Sequence, residues 1–408
     1  MMDDVQLQVD KVYKQHFGKM LSFLLHFSSD MDPESAEDIV QDAFSAALTD
    51  WRIHGIPENT AGWIYRVCRN KALNQIKKEK RIEPISEKVI QDTVEIRFNE
   101  SGIDDDQLKL LFACAHPDLS PKTQVVITLK YVINLRVDSI AKILGMSFDA
   151  VDKLLVRARK KIKEEKIILN EPQPEALLQR LSIVHKIIYL TFNEGYKSSD
   201  GKEIIREQLC EDALLLNKAL LETPYHNKET EALYALMLFN AARLESRFSP
   251  SGELLDLENQ DRSLWNRELI NMGKDFLNRS QDDTVSTYHL EAAIASVHSL
   301  SESFERTDWK LISGLYARLL HIQPNPFVEL NYAIALYYAG DKEDSFKILR
   351  ELQSHAFLNQ YYLLNMAIGK LYHLEGNQDL AREFLQKAYQ QTNAPKEKEF
   401  IQHMLDKL

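Results

Sequence analysis

Glycine and proline are scarce, 13 and 12 in 408 residues, half of the ~12% an average chain carries. Strand-rich folds spend these residues on their many turns, so the shortage predicts an almost entirely helical, all-α protein. Three cysteines, Cys68, Cys114 and Cys210, lie far apart with no paired spacing. That excludes a disulfide framework and a multi-cysteine zinc site, and it fits a reducing compartment, with a cytoplasmic location expected. No run approaches the ~18 apolar residues that a bilayer span needs, and no basic stretch leading into an apolar one opens the chain. A soluble, unprocessed protein with no membrane partner is expected. Phosphate-cradling glycine loops, HExxH and serine elbows are missing, so neither catalysis, nor a cofactor, nor a metal is expected.

What is present is unevenly distributed. The length allows two to four folding units with real cores, and the net charge of −11 hides an asymmetry. Residues 1–169 hold 25 Lys and Arg against 26 Asp and Glu, whereas residues 170–408 hold 25 against 35. A near-neutral front and an acidic back point to different jobs.

Val9, Val12, Tyr13, Phe17, Met20, Leu21 and Leu24 repeat at helical spacing and predict a first helix over residues 8–27. Asp32-Pro33 offers a capping carboxylate and a proline whose missing N–H costs nothing in a first turn. In the helix that follows, Ile39, Val40, Ala43, Phe44, Ala47 and Leu48 form one buried stripe and leave Asp38, Gln41 and Asp42 on the opposite face. A turn through Gly55 and Pro57 leads to a third helix ending near Lys80, and Arg81 to Asp106 reads as a linker. A compact helical module runs from Ser120-Pro121 to about Lys166. Glu171-Pro172-Gln173-Pro174 interrupts it, because prolines so close together do not sit inside a helix. Beyond this boundary lies a succession of amphipathic helices with a weak internal repeat near the end. Asn331 and Asn365, and Ala333 and Ala367, are 34 apart, whereas Gly340 and Gly376, and Ser345 and Ala381, are 36 apart. This is the period of a tetratricopeptide-like helical hairpin.

Two segments carry the chemistry. In residues 138–163, Ala141 is small enough for two helices to approach, Gly145 supplies the positive φ of a tight turn, and Ser147 caps a second helix whose Val151 and Leu155 face the first. These offsets describe a helix-turn-helix, and its second helix carries Lys153, Arg157, Arg159, Lys160, Lys161 and Lys163 for phosphates. Residues 63–81 hold seven cations (Arg66, Arg69, Lys71, Lys77, Lys78, Lys80, Arg81) against one acid, Glu79. Aromatic and amide side chains interleave them, which suits an unpaired strand, although Trp63 and Tyr65 fit a core equally well.

Asp38-Ile39-Val40-Gln41-Asp42-Ala43-Phe44, then Gly62-Trp63-Ile64 with Arg69-Asn70, then the helix-turn-helix ending in Arg157-Ala158-Arg159, resemble in this order a bacterial extracytoplasmic-function sigma factor. The resemblance implies sigma region 2 over residues 1–81, a linker over 82–106, region 4 over 107–169, and a helical extension over 175–408 with tetratricopeptide-like repeats near 328–391. It also implies docking of Asp38, Gln41 and Asp42 on the β′ clamp helices of core RNA polymerase, with Ile39 and Phe44 as packing support and Phe44 counted with the polymerase-binding set, and a contact with the β flap. For the promoter minus-ten element it implies Asn59, Trp63, Arg66, Arg69, Asn70, Asn74, Lys77 and Lys78. For the minus-thirty-five element it implies Ser147, Asp149, Lys153, Arg157, Arg159 and Lys160. Cys114-Ala115-His116-Pro117, residues 190–196, Gln260-Asp261-Arg262-Ser263-Leu264-Trp265 and Asp308-Trp309 resemble the subgroup with a long C-terminal extension. Leu154 and Asn259 depart from its pattern.

The acidic extension complements the basic clusters, so it either masks them or docks on polymerase, a regulatory protein or a small ligand. Asn193, Glu194 and Gly195 offer a ligand contact, or Gly195 simply ends its helix. Asp261, Arg262 and Trp265 are spaced to share a helix face, as a ligand-holding or a buried structural pair. Cys114 and His116 fit a structural role better than a metal site, and His185, His289 and His298 fit core or surface positions better than bases. The rival reading is a helix-turn-helix regulator with a sensing helical domain; an enzyme would have to draw on residues 190–196 or 259–265.

Overall fold

The computed structural model describes residues 4–27, 31, 33–80, 105–165, 167, 169, 174–197 and 205–408. The described chain is helical throughout, with one isolated antiparallel bridge, Phe248 to Leu254, and no strands. Among the described residues no helix is long and apolar enough to cross a membrane. The chain divides into two compact units, one of Met1–Thr191 and Lys218–Tyr225, the other of Phe192–Asn217 and His226–Leu408.

In the first unit α1 (Asp4–Phe27), α2 (Pro33–His54) and α3 (Thr60–Lys80) form a bundle. Its core is built from the apolar stripes: Met20, Leu21 and Leu24 of α1, Val40, Ala43 and Ala47 of α2, and Ile64, Cys68 and Ala72 of α3 are all buried. α1 begins four residues earlier than its apolar spacing suggests, at Asp4. The capping role of Asp32, the side chains of Lys77, Lys78 and Lys80, Arg81 and the linker through residue 104 lie outside the described residues. The linker's last two residues open the next helix.

α4 (Asp105–Cys114), α5 (Pro121–Tyr131), α6 (Val137–Ile143) and α7 (Phe148–Glu164) make the second half of this unit. Ser120 caps α5, its hydroxyl accepting from the Thr123 N–H at 3.2 Å, with Pro121 in the first turn. α8 (Pro174–Tyr196) starts at the second of the two closely spaced prolines. The division between compact units falls not at that proline but inside α8, after Thr191. A proline ends a helix but does not stop the next one packing backward, and the Arg180 guanidinium donates to the Phe112 carbonyl at 2.8 Å.

The second unit continues through α9 (Glu207–Leu221), α10 (Lys228–Ala241), α11 (Arg267–Arg279), α12 (Thr287–Leu300) and α13 (Trp309–Ile322). α10 is buried on all sides from Thr230 to Phe239, with α11 and α12 packed on it. Glu231 at its start is 3% exposed, so its charge needs partners. Lys228 and Arg279 supply them, each 3.0 Å from a different carboxylate oxygen.

α14 (Pro326–Ala339) with α15 (Lys342–Leu352), and α16 (Tyr362–Leu374) with α17 (Gln378–Gln391), are the two hairpins of the sequence repeat. Their turns sit at Gly340 and Gly376, with φ 102° and 76°. Ser345 and Ala381, at equivalent places, are both fully buried, and one cluster running from Leu330 to Phe384 serves both hairpins. α18 (Pro395–Asp406) closes the end, placing Ile401 against Tyr362, Leu385 and Ala388.

Candidate functional site

On α2 the 3.6-residue period separates two faces cleanly. Asp38, Gln41 and Asp42 are exposed, whereas Ile39, Val40 and Ala43 are buried beneath them. Phe44 is 4% exposed and meets the Tyr13 ring edge-on at 4.9 Å. It therefore lies beneath the face with Ile39, in the place of packing support and not among the exposed residues. Asp42 pairs with Lys71 of α3 at 3.1 Å, and Gln41 donates to the Glu37 carboxylate at 3.3 Å.

On α3 the expected contact residues have different fates. Asn59 is the residue before the helix, and its side-chain oxygen accepts the Gly62 N–H at 2.7 Å. Trp63 is half-buried and packs edge-on against buried Trp51 at 5.6 Å, so it serves the core on at least one face. Arg66, Asn70 and Asn74 are exposed and Arg69 is half-buried.

The helix-turn-helix has the geometry its sequence requires. Gly145 adopts φ 61°, a conformation that costs residues with a Cβ. The Ser147 hydroxyl accepts the Ala150 N–H at 3.2 Å, so α7 starts where the cap dictates. Val151, Leu155, Ala158 and Ile162 are buried, and Asp149, Lys153, Arg157 and Lys160 are exposed. Val156 is exposed beside these cations, and Phe148, in the first turn on the flank of Val151 and Leu155, is exposed as well. Spacing marks only Val156 as outward-facing: Phe148 precedes buried Val151 and Leu155 by three and seven residues, so the helical period groups it with the buried stripe, and it is exposed because it opens the helix.

Arg159 stands apart from its neighbours: it is half-buried, 3.2 Å from Glu34 of α2. A second pair joins the same two halves of the unit, Lys130 of α5 to Glu37 of α2 at 2.7 Å. No sequence signal marks these acids, because their partners are about a hundred residues away.

Several expected ligand positions have structural duties. Gly195 does not end α8; the helix runs on to Tyr196, and a Cβ there would stand 2.7 Å from the Cys210 N–H nitrogen. Glu194 is buried, 3.8 Å from Arg206. Asp261, Arg262 and Trp265 share no helix face. Asp261 is exposed and caps a single 3-10 turn, Arg262–Leu264, by accepting the Ser263 N–H at 2.8 Å. Arg262 instead lies 4.5 Å from the Trp265 ring centroid and donates to the His298 and Ser301 carbonyls, both at 2.7 Å. His289 completes the cap of α12 through Ser286 and reaches the Ser280 carbonyl. Cys114 is buried and its thiol is pushed up to about 12 by burial, so it stays protonated. His116 lies 3.6 Å from Asp118. Among the described residues, no group of three or more His, Cys, Asp or Glu is placed to hold a metal ion.

Residues 12–82 match Sigma-70 region 2, and residues 109–162 match Sigma-70, region 4. The chain is a sigma factor, directing transcription initiation. Residues 180–281 match a family of unknown function (DUF6596). Over 393 residues the sigma factor is 30% identical to Uncharacterized protein R00370 of Rhizobium meliloti (strain 1021), covering 94% of this chain and 92% of that protein. The two belong to one family from end to end. It is also 27% identical over 148 residues to RNA polymerase sigma factor SigV of Bacillus subtilis (strain 168), covering 36% of this chain and 82% of SigV. ECF RNA polymerase sigma factor SigM of the same strain is 24% identical over 158 residues, 38% of this chain and 94% of SigM. No solved structure matches the chain.

Proposed function

We propose that this sigma factor belongs to the extracytoplasmic-function class, acts in the cytoplasm, and docks on the β′ clamp helices of core polymerase through Asp38, Gln41 and Asp42. The observation that carries this reading is the exposed carboxylate-and-amide face of α2 above a fully packed stripe. That face sits one helix away from α3, whose Arg66, Arg69, Asn70 and Asn74 would track and hold the minus-ten strand once it is unpaired. Binding that is available only to unpaired bases offsets the few kcal/mol of unstacking per flipped base. α7 would enter the major groove of the minus-thirty-five element with Lys153, Arg157 and Lys160 toward phosphates, and region 4 would rest on the β flap.

Docking and release are coupled in this reading. Gln41 bonds to Glu37, and Glu37 holds Lys130. A partner whose cations reach the α2 face competes with Lys130 for Glu37 and with Arg159 for Glu34, loosening the acids that tie region 4 to α2 and freeing Arg159 to face DNA. The extension, with two tetratricopeptide-like hairpins, is a regulatory module with a positive role in initiation.

The test is co-elution with core polymerase, followed by promoter-dependent run-off transcription. Asp38→Lys with Gln41→Lys is expected to abolish both without altering the circular dichroism spectrum or Tm, since both side chains are exposed. Full binding by that variant overturns the docking face. Duplex promoter binding without any co-elution favours a conventional helix-turn-helix regulator. Deleting residues 170–408 should lower run-off transcription; a gain would mean that the extension masks the DNA-binding helices.

A further inference from the structure

A cavity of about 280 Å³ opens among the 256–258 segment and helices α12, α13, α14 and α16, and the polymerase and promoter contacts make no use of it. Phe304, Trp309 and Tyr338 line it. Trp309 and Tyr338 stack with centroids 4.7 Å apart, and Phe304 meets each edge-on at 5.0 Å. Asp256, Glu258 and Lys370 line it as well. The Lys370 ammonium is 2.6 Å from a carboxylate oxygen of each acid, and Asp256 also accepts from the Asn259 N–H and side-chain amide, so of these two half-buried acids Glu258 carries the surplus charge. His298 is a further wall residue, and its Nδ1 is buried with no hydrogen-bond partner. Burial next to Arg243 and Arg262 pushes its imidazole down to about 3, leaving the ring neutral.

We propose that this cavity is a binding site for a small organic cation, an ammonium group carried on an apolar or aromatic body. Its charge would sit beside Asp256 and Glu258, and its body against Trp309 and Tyr338. A half-buried carboxylate that shares its only cation with a second acid favours a further positive charge beside it. The aromatic rings favour the same sign, because the quadrupole of Trp, Tyr and Phe attracts cations. An anion would meet the surplus carboxylate. The neutral His298 ring adds no charge to the wall, and Arg243 and Arg262 near it keep the cationic end of the ligand toward the acids. The volume suits a molecule of roughly ten non-hydrogen atoms. This site stands independently of the docking reading, since its occupancy is measured without polymerase.

Full-length protein labelled with 5-fluorotryptophan provides the test, read by fluorine NMR at pH 7. Three probes share one body and differ in charge: 2-phenylethylammonium, 2-phenylethanol and phenylacetate. The ammonium is expected to shift the Trp309 resonance saturably, that resonance being the one missing from Trp309→Phe. Trp51, Trp63 and Trp265 should stay in place. Phenylacetate should bind at least about tenfold more weakly, and Glu258→Gln should weaken the ammonium by about the same factor. Equal binding of the three probes, tighter binding of phenylacetate, or no movement of Trp309 with any of them overturns the proposal.

Discussion

Lys130→Met isolates the contact that joins region 4 to region 2. The Glu37 carboxylate is 12% exposed and the Lys130 side chain 22%, at 2.7 Å. Removing the ammonium strands an acid that water barely reaches. Fully buried pairs cost 3–5 kcal/mol when one partner goes, so the partial exposure here brings the figure to ~2 kcal/mol, roughly a thirtyfold change in the ratio of open to closed molecules. The Arg159–Glu34 pair is more open, at 28% and 60%, and its loss in Arg159→Ala should cost only ~0.5 kcal/mol, about twofold. Single-molecule energy transfer between dyes at Ile53→Cys and Lys163→Cys counts the two populations. Native thiols do not interfere, because Cys68, Cys114 and Cys210 are buried and each is pushed up to about 12 by that burial, which leaves almost no thiolate to react with maleimide at pH 7. Adding Glu37→Gln to Lys130→Met should restore most of the closed population, since the stranded charge is then gone. The reasoning fails if Lys130→Met leaves the distribution unchanged, or if Arg159→Ala opens more molecules than Lys130→Met does.

Ser147→Ala removes the α7 cap and should cost ~1 kcal/mol of stability, seen as a lower unfolding midpoint with weaker duplex binding and intact polymerase binding. Gly195→Val places side-chain atoms where the Cys210 N–H and Arg206 carbonyl already sit, and overpacking of this kind costs about 1–3 kcal/mol by urea unfolding. His298, held down to about 3 against a reference value of 6.5, is neutral in the folded chain while its unfolded counterpart takes up a proton below pH 6.5. Its contribution is therefore complete above pH 6.5 and drains away as pH falls toward 3. At pH 5 the loss is ~2 kcal/mol, and His298→Gln should flatten that limb of the stability curve relative to the parent. Lys153→Ala should weaken promoter binding alike on all sequences and lower the salt slope by about one.

What could be read from the chain alone was local. Gly145, Ser147, Val151 and Leu155 lie within eleven residues, and a turn, a cap and a stripe at that range are set by backbone conformation and the helical period, with nothing distant able to override them. The α2 face was legible for the same reason. The misreadings share an opposite cause. Gly195 looks like a helix end because glycine so often is one, yet the residue that decides its role is Cys210, brought over it by α9. Asp261 and Arg262 look like a pair on one helix face only if a helix is there, and Asp261 instead caps a single turn while Arg262 turns to carbonyls 36 and 39 residues on. Phe44 belongs to a recognisable motif, but membership does not tell contact from support; that depends on Tyr13, packed above it from another helix.

The same distinction governs the recognition helix. A run of cations announces phosphate binding, and composition treats Arg157, Arg159 and Lys160 alike. Helical geometry does not: positions 157 and 160 face outward with 153, whereas 159 turns toward the flank where Glu34 stands 125 residues away. An arginine so placed belongs to two equilibria, one with an acid of its own chain and one with DNA. Promoter affinity in the free chain is then set by the competition between them as well as by the number of positive charges. It follows that weakening the internal pair raises duplex affinity at constant net charge on α7. Glu34→Gln separates these effects, because it leaves every cation of the helix in place.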